Sequence, residues 1–483
     1  MTYEEALERL AALGPELRVG RAADGLAGGT RRKFSLDHIG ALLKALGEPQ
    51  RTFASVLIAG TNGKGSTAAT LASITHAAGI RTGLYTSPHL LRVNERIKIS
   101  GCGQGLAEIP NDDFGRIYGA VDNATARLIA SGGLPHYPSF FELLTAIAFV
   151  WFAEQGVELA VLEVGLGGRL DATNSVEPIV SVITDIGIDH TEYLGNTIRE
   201  IAGEKAGILR QDGVLVTLAQ HQEANAAIGE AAVRLGVRGV DAARCLPPSR
   251  DFAVHGAARE GASLLARNVY DLALEGEAVH VDSPLAGQHQ QRNVALAIAT
   301  AVELRTNQHL VDGRGFVISN AAIEQGIRET VWPGRLEWIA SRGSDAPLLL
   351  DVAHNPAGAW TLRAAISQLP EELPRTLIFG CLADKQIDEM EQVLLPLFDS
   401  ASGDPARAGD HVVLAPVHNP RAATIEELAG AAQRLDVPVH VASDLQDALR
   451  QAQLLTPKDG VIVATGSIFL VGEIRALALA QAG

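Results

Sequence analysis

Twelve residues constrain this chain more than any others: Val56 to Thr67, reading V-L-I-A-G-T-N-G-K-G-S-T. A short apolar run ends in a glycine-rich turn with one lysine, and an alanine-rich segment, Ala68 to Ala78, follows and is closed by Gly79. That order predicts strand, phosphate-cradling loop, helix. The glycines let backbone N–H groups approach phosphate oxygens, the helix N-terminus adds partial positive charge, and Lys64 reaches the outer phosphates. The spacing is a variant of the usual phosphate loop: Ile58 stands where the first glycine would fall, and Gly65 rather than Ser or Thr follows Lys64. A Gly-Lys turn by itself is often just a loop. Between a strand and a helix, Gly60, Thr61, Asn62, Gly63, Lys64, Gly65 and Ser66 read as a nucleotide site.

The rest of the chain must be large enough to serve such a site, and 483 residues suggest two or three domains. With 47% hydrophobic and 20% charged residues the composition is that of a soluble globular protein. A net charge of −16 argues against nucleic acid or an anionic membrane as partner, so anionic substrates need a local basic patch. Cys102, Cys245 and Cys381 are widely spaced, which fits neither a disulfide frame nor a thiolate zinc site. The first ten residues lack a signal-peptide core, and Leu143 to Ala153 is too short to span a bilayer. A cytoplasmic enzyme is expected.

Along the chain, apolar runs at 80–85, 159–164 and 179–186 predict strands, alternating with helices at 111–130 and 141–152. A basic, glycine-rich stretch, Arg18 to Lys33, precedes a helix capped by Ser35. The pattern weakens between 212 and 286, then gives an Ala-rich helix from Gln288 to Leu304. Strands restart at 348–352, 377–380, 411–415, 439–442 and 461–465. This is an α/β chain with a parallel sheet covered on both faces and a domain boundary near 330. Glu163 ends a buried strand, where an acid either meets solvent or binds the metal that accompanies a nucleotide. His190 ends another strand; a lone histidine is usually a satisfied polar residue. Lys205 shares one helical face with Ile198, Ile201, Ile208 and Leu209, which calls for snorkelling, pairing or chemical alteration.

The turn G-T-N-G-K-G-S resembles the signature of the folylpolyglutamate synthase/dihydrofolate synthase family, within the Mur-ligase-like amide-bond-forming enzymes. V-G-L-G-G-R-L-D-A-T-N at 164–174, I-D-H at 188–190, E-K-A-G-I at 204–208, W-P-G-R at 332–335 and D-V-A-H-N-P at 351–356 match further family motifs in order. The resemblance implies a P-loop Mur-ligase-like ATPase domain, residues 1–330, and a smaller Rossmann-like glutamate-ligase domain, 331–483. It implies pteroate or folate contacts at Leu170, Asp171 and Ala172, and at Ser139, Phe140, Phe141 and Glu142, although two aromatics beside a helix start are more often core. It makes Ser87, Glu163 and His190 metal ligands, with a carbamylated Lys205 helping to hold a second ion. Two Mg²⁺ ions and ATP are expected, and a K⁺ ion is allowed for. Asn293, Arg335 and Asp351 become ATP contacts; Lys64, Lys205 and His354 become the catalytic candidates. Gln386 departs from the family's usual Asp after Lys385, and the Arg31 to Ser35 piece matches the substrate loop only loosely.

The implied reaction is ligation of L-glutamate to dihydropteroate and to reduced folates through an acyl phosphate, by a monomer. Polyglutamylation alone, another Mur-type amino-acid ligase, or a nucleotide-dependent switch are the rivals. L-D-A-T-N and P-H-L-x-x-x-N-E-R favour folate, and no N-K-x-D stretch for guanine selection is present.

Overall fold

The computed structural model describes residues 1–14, 35–101, 105–248, 263–306, 315–340, 343 and 345–480. The Arg18–Lys33 stretch, most of the Arg31–Ser35 piece and Cys102 lie outside these.

Eight strands form the first sheet: β1 (Ala54–Ala59), β2 (Thr82–Tyr85), β3 (Ile97–Ser100), β4 (Leu106–Glu108), β5 (Leu159–Glu163), β6 (Val180–Ile183), β7 (Val214–Thr217) and β8 (Arg238–Asp241). Their order is β4-β3-β2-β5-β1-β6-β7-β8. The sheet is parallel from β2 to β8, as the buried runs predict, but β3 and β4 add an antiparallel edge that the sequence did not reveal. Each of β1, β2, β5 and β6 is buried almost throughout, which a strand covered on both faces requires. The weak 212–286 region resolves into β7, β8 and a hairpin of β9 (Asn268–Leu274) and β10 (Glu277–Ser283).

The phosphate-loop helix runs Lys64–Ala77, starting four residues before its alanine-rich part because Gly63, at φ 88°, turns the chain directly into it. The apolar helix is Phe140–Glu154, started by a capping box in which Ser139 and Glu142 satisfy each other's backbone N–H groups.

A second sheet holds β11 (Glu337–Ile339), β12 (Leu348–Leu350), β13 (Arg375–Phe379), β14 (His411–Leu414), β15 (His440–Val441) and β16 (Val461–Thr465), in the order β11-β12-β16-β13-β14-β15. Only β11 is antiparallel to its neighbour. The two sheets define an N-terminal and a C-terminal lobe. No helix among the described residues is long and apolar enough to cross a membrane.

In the C-terminal core, Glu391 on the helix Ile387–Leu394 is fully buried, and neither carboxyl oxygen has a hydrogen-bond partner. Burial, with Asp388 adding and Arg434 opposing, pushes its pKa from 4.5 up to about 8. The folded chain therefore keeps this proton while the unfolded chain releases it near pH 4.5, so stability falls as pH rises between these values. Glu391→Gln removes the linkage. Its melting temperature is expected to exceed that of the parent at pH 8, the gap closing toward pH 5, with on the order of 3 kcal/mol at stake. Thermal melts across that range check it.

Candidate active site

Four neighbouring strands deliver the site at their carboxyl ends. In the sheet order β2, β5, β1, β6 these ends carry Ser87, Glu163, the Gly60 turn and the Thr184–His190 segment. The chain crosses from one side of β1 to the other here, and such a switch point opens a crevice for ligands. The turn is fixed from β6: Thr61 and Asn62 donate their N–H groups to the Asp185 carbonyl, and Thr184 Oγ1 donates to the Asn62 carbonyl at 2.7 Å. A Cβ at Gly60 would lie 1.8 Å from Thr184 Oγ1, so the close approach demands glycine.

Lys64 Nζ donates to the carbonyls of Gly60 and Thr61, both at 3.1 Å. Glu163 is 4% exposed, and its Oε2 accepts the Ser87 N–H at 3.0 Å. Burial raises the Glu163 pKa against Lys64, that hydrogen bond, Arg335 and Arg96. His190 adopts the left-handed conformation, at φ 51°, and burial pushes its imidazole down to about 4 despite Asp189. It is therefore neutral and able to act as a ligand.

Lys205 is 4% exposed, on the apolar face its spacing predicted, and Nζ donates to the Gly60 carbonyl at 2.8 Å. Burial first, then Lys64, brings its pKa down to about 7. Asn293 Oδ1 rests against the turn: a Cβ at Gly63 would come within 2.2 Å of it, at a φ of +88°. Gly63→Ala should raise the KM for ATP about tenfold or more through this clash and the backbone strain, measured by nucleotide titration.

Leu166, Leu170 and Ala172 belong to the loop after β5. Asp171 shapes that loop: it is buried, pushed up to about 6, and accepts N–H groups from Leu166 and Thr173. Phe141 packs on Gly165, where a Cβ would lie 2.6 Å from the ring, so the two stretches matched to a pterin meet. The Arg96 guanidinium lies 5.4 Å from the Phe140 centroid. Ser139 and Glu142 also form the helix cap, Ser139 Oγ donating to Glu142 Oε2 at 2.7 Å and accepting the Glu142 N–H at 3.3 Å.

From the C-terminal lobe, Asp351 accepts the N–H groups of Leu336 and Ala353, both at 2.9 Å. Burial lowers the Arg335 pKa, opposed by Asp351 and Glu163, and the guanidinium donates to the Gly334 carbonyl at 3.2 Å. His354 Nδ1 binds the Val352 carbonyl at 2.9 Å, and burial, helped by Lys385, brings its pKa down to about 4.

Sequence reasoning gave no role to the residues that join the lobes, although Asp189, Asn355 and Lys385 stand in or beside the stretches it matched. Asn355 caps the helix Pro356–Ile366 with Oδ1, while Nδ2 reaches Asp189 at 3.3 Å and Asn62 at 3.4 Å. Lys385 Nζ lies 3.5 Å from Asp189. Burial would raise Asp189, but His190, Lys385 and His354 outweigh it and hold the acid far below the usual carboxylate range. A cavity of about 250 Å³ opens here, lined among others by Asp189, His190, Asn355, Lys385 and Arg421. An Asx residue before a helix-starting proline was the available sign for Asn355; nothing in sequence paired Asp189 with Lys385.

A phosphate-binding turn at the switch point of one lobe, faced by an arginine from the connector and an acid–histidine turn of a second lobe, defines an ATP-dependent ligase of the Mur type. The Mur ligase middle domain family matches residues 133–301, and the Mur ligase glutamate ligase domain family matches 334–468. The chain is 35% identical to the folylpolyglutamate synthase of Lacticaseibacillus casei, over 90% of this chain and 92% of that one. It is 35% identical to the dihydrofolate synthase/folylpolyglutamate synthase of Mycobacterium tuberculosis, over 93% and 91%. The crystal structure of the M. tuberculosis folylpolyglutamate synthase complexed with ADP aligns with a TM-score of 0.79 at 32% identity, covering 98% of each chain. A bifunctional folylpolyglutamate synthase/dihydrofolate synthase with Mn, AMPPNP and L-glutamate bound aligns at 0.72 and 26%, covering 99% and 98%. This chain belongs to the folylpolyglutamate synthase/dihydrofolate synthase family.

Proposed function

We propose that this enzyme joins L-glutamate to dihydropteroate, forming dihydrofolate, and adds further glutamates to reduced folates, at the expense of ATP. The observation that carries the reading is the contact of the phosphate turn at Asn62, and of Asp189 beside His190, with Asn355 and Lys385 from the other lobe. We divide the chain functionally at residue 330.

Among the described residues no ion pair engages the buried carboxylate of Glu163, and a hydroxyl, a carboxylate and a neutral imidazole together suit a divalent ion that keeps phosphate and water oxygens. Ser87, Glu163 and His190 would hold Mg²⁺, and a carbamylated Lys205 would help hold a second. Bound there, the ions would supply positive charge beside the triphosphate. The family resemblance also allows a K⁺ ion.

Gly60 to Ser66 cradle the phosphates, with Asn293, Arg335 and Asp351 completing the nucleotide site. The acceptor's aromatic end lies between the Phe140–Phe141 helix start and the Leu170–Ala172 loop, with its carboxylate toward Lys64. That carboxylate attacks the γ-phosphorus, ADP leaves, and an acyl phosphate forms. L-Glutamate enters the inter-lobe cavity, where Lys385 and Arg421 offer charge to its carboxylates. His354, neutral and with Nδ1 bonded to a carbonyl, has Nε2 to accept a hydrogen bond from the incoming amino group and orient it toward the acyl carbonyl. The amine adds to the acyl carbonyl and phosphate departs. Lobe contact through Asn355 and Lys385 keeps water from the acyl phosphate. The enzyme works as a monomer in the cytoplasm.

The test is mass analysis of products after incubation with ATP, Mg²⁺, L-glutamate and either dihydropteroate or tetrahydrofolate. Conjugates from both acceptors support the full reading; conjugates from the folate alone reduce it to polyglutamylation; none from either overturns it.

A further inference from the structure

The connector between the lobes carries Trp332, after the helix Asn320–Arg328 and before β11. Its indole lies on the phosphate turn. A Cβ added at Gly65 would come within 2.5 Å of indole Cζ2 and 3.1 Å of Cε2, and the same point is 3.3 Å from Glu163 Oε2. The indole Nε1 is bonded to that Cε2, on the edge of the ring system that faces the turn. Nε1 is shielded from solvent and has no hydrogen-bond partner. Leaving such a donor unpaired costs about 1–3 kcal/mol, an expense a native site rarely carries without an acceptor that arrives later. The Arg335 guanidinium lies 5.9 Å from the centre of the same ring. Glu163 Oε2 already accepts the Ser87 N–H.

We propose that Trp332 is a nucleotide-contacting residue of this ligase: its indole N–H donates to a terminal phosphate oxygen of ATP at the edge of Gly65, and its ring face steadies Arg335 toward the same phosphates. The proposal rests on the ATP-dependent reading above and adds a residue and a contact to it. An anionic oxygen is the acceptor this site lacks, and the turn, Lys64 and Arg335 all favour one there. The contact joins the connector to the nucleotide, so an occupied phosphate site also fixes the base of the second lobe.

Trp332→Phe keeps a ring for Gly65 and Arg335 but has no N–H, whereas Trp332→Ala removes both. Binding of AMPPNP to the full-length protein is to be measured by equilibrium dialysis, with steady-state kinetics and thermal melts alongside. Trp332→Phe is expected to weaken AMPPNP binding and raise the KM for ATP about tenfold, with a melting temperature no lower than the parent's and an unchanged KM for glutamate. Trp332→Ala is expected to lose kcat in addition. AMPPNP should change the tryptophan emission of the parent protein and leave that of Trp332→Phe almost unaltered. If Trp332→Phe binds AMPPNP as tightly as the parent, the contact does not exist and the ligase reading stands. If the parent forms no conjugate, that reading fails, while the AMPPNP titration still decides the Trp332 contact.

Discussion

Replacing Lys64 by alanine is expected to lower conjugate formation about 10³-fold while leaving the melting temperature nearly unchanged. Lys64 opens the helix Lys64–Ala77, and its ammonium is held by the carbonyls of Gly60 and Thr61. Those bonds stabilise the turn modestly, since each exchanges for a bond to water. Transition-state charge on the transferring phosphoryl group is different. There a preorganised cation in a site shut off from water is worth several kcal/mol, and removing one such donor elsewhere costs 10²–10³-fold, with a full charge at the upper end. Lys64 also helps depress the pKa of Lys205, so its loss should make that amine more basic. Arginine is a poor substitute, because its planar fork does not present the compact point charge of an ammonium. Steady-state kinetics and thermal melts on the same preparations check both halves. A large loss of stability would mean that Lys64 serves the fold instead.

The second large effect concerns Lys205. Lys205→Met should lose activity about 10²-fold or more without losing stability. A buried ammonium replaced by an apolar chain of similar length usually leaves a protein as stable or more so. Here a backbone carbonyl, that of Gly60, is the bonded partner of the lysine. With its pKa brought down to about 7 by burial and by Lys64, the amine is largely neutral at pH 8 and free to add CO₂. Addition of CO₂ to the neutral amine releases a proton and leaves a carbamate anion beside the phosphate turn, which suits a second divalent ion. Protein held in CO₂-depleted buffer should lose activity and regain it with bicarbonate, more slowly at pH 6 where the amine is protonated. Intact mass measured without acidification should show one CO₂ adduct in the parent and none in Lys205→Met. Full activity of Lys205→Met would remove the residue from the mechanism.

Much of this arrangement is legible in the sequence because it depends on local order. A buried strand followed by Gly60–Ser66 and a helix reads as a phosphate turn, and Glu163 is legible as a strand-end acid, whereas His190 lies beyond β6 at the cap of the helix Thr191–Leu194 and takes its expected role from the family resemblance alone. The spacing of Ile198, Ile201, Lys205, Ile208 and Leu209 anticipated the burial of the lysine, although the helix ends at Ala206 and the last two residues lie beyond it. Where the signal is short or non-local, the sequence was silent. The edge strands β3 and β4 are only four and three residues long and pair antiparallel, so neither period nor burial marks them. Ser139 and Glu142 match a substrate stretch as letters, and in space they also form a capping box, a role the match does not assign. The lobe contacts of Asp189 with Asn355 and Lys385 join residues 166 and 196 positions apart, a distance no local pattern bridges.

Tracing oxygen through the reaction tests most directly the central claim that the acceptor acid is activated by phosphorylation between the two lobes. Dihydropteroate bearing ¹⁸O in its carboxylate is incubated with enzyme, ATP, Mg²⁺ and L-glutamate, and the inorganic phosphate is analysed by mass spectrometry. Transfer of one ¹⁸O from the acid to phosphate for each amide formed is the predicted result. Amide formation that leaves the phosphate unlabelled would contradict an acyl phosphate, and with it the roles given to Lys64, Arg335 and His354.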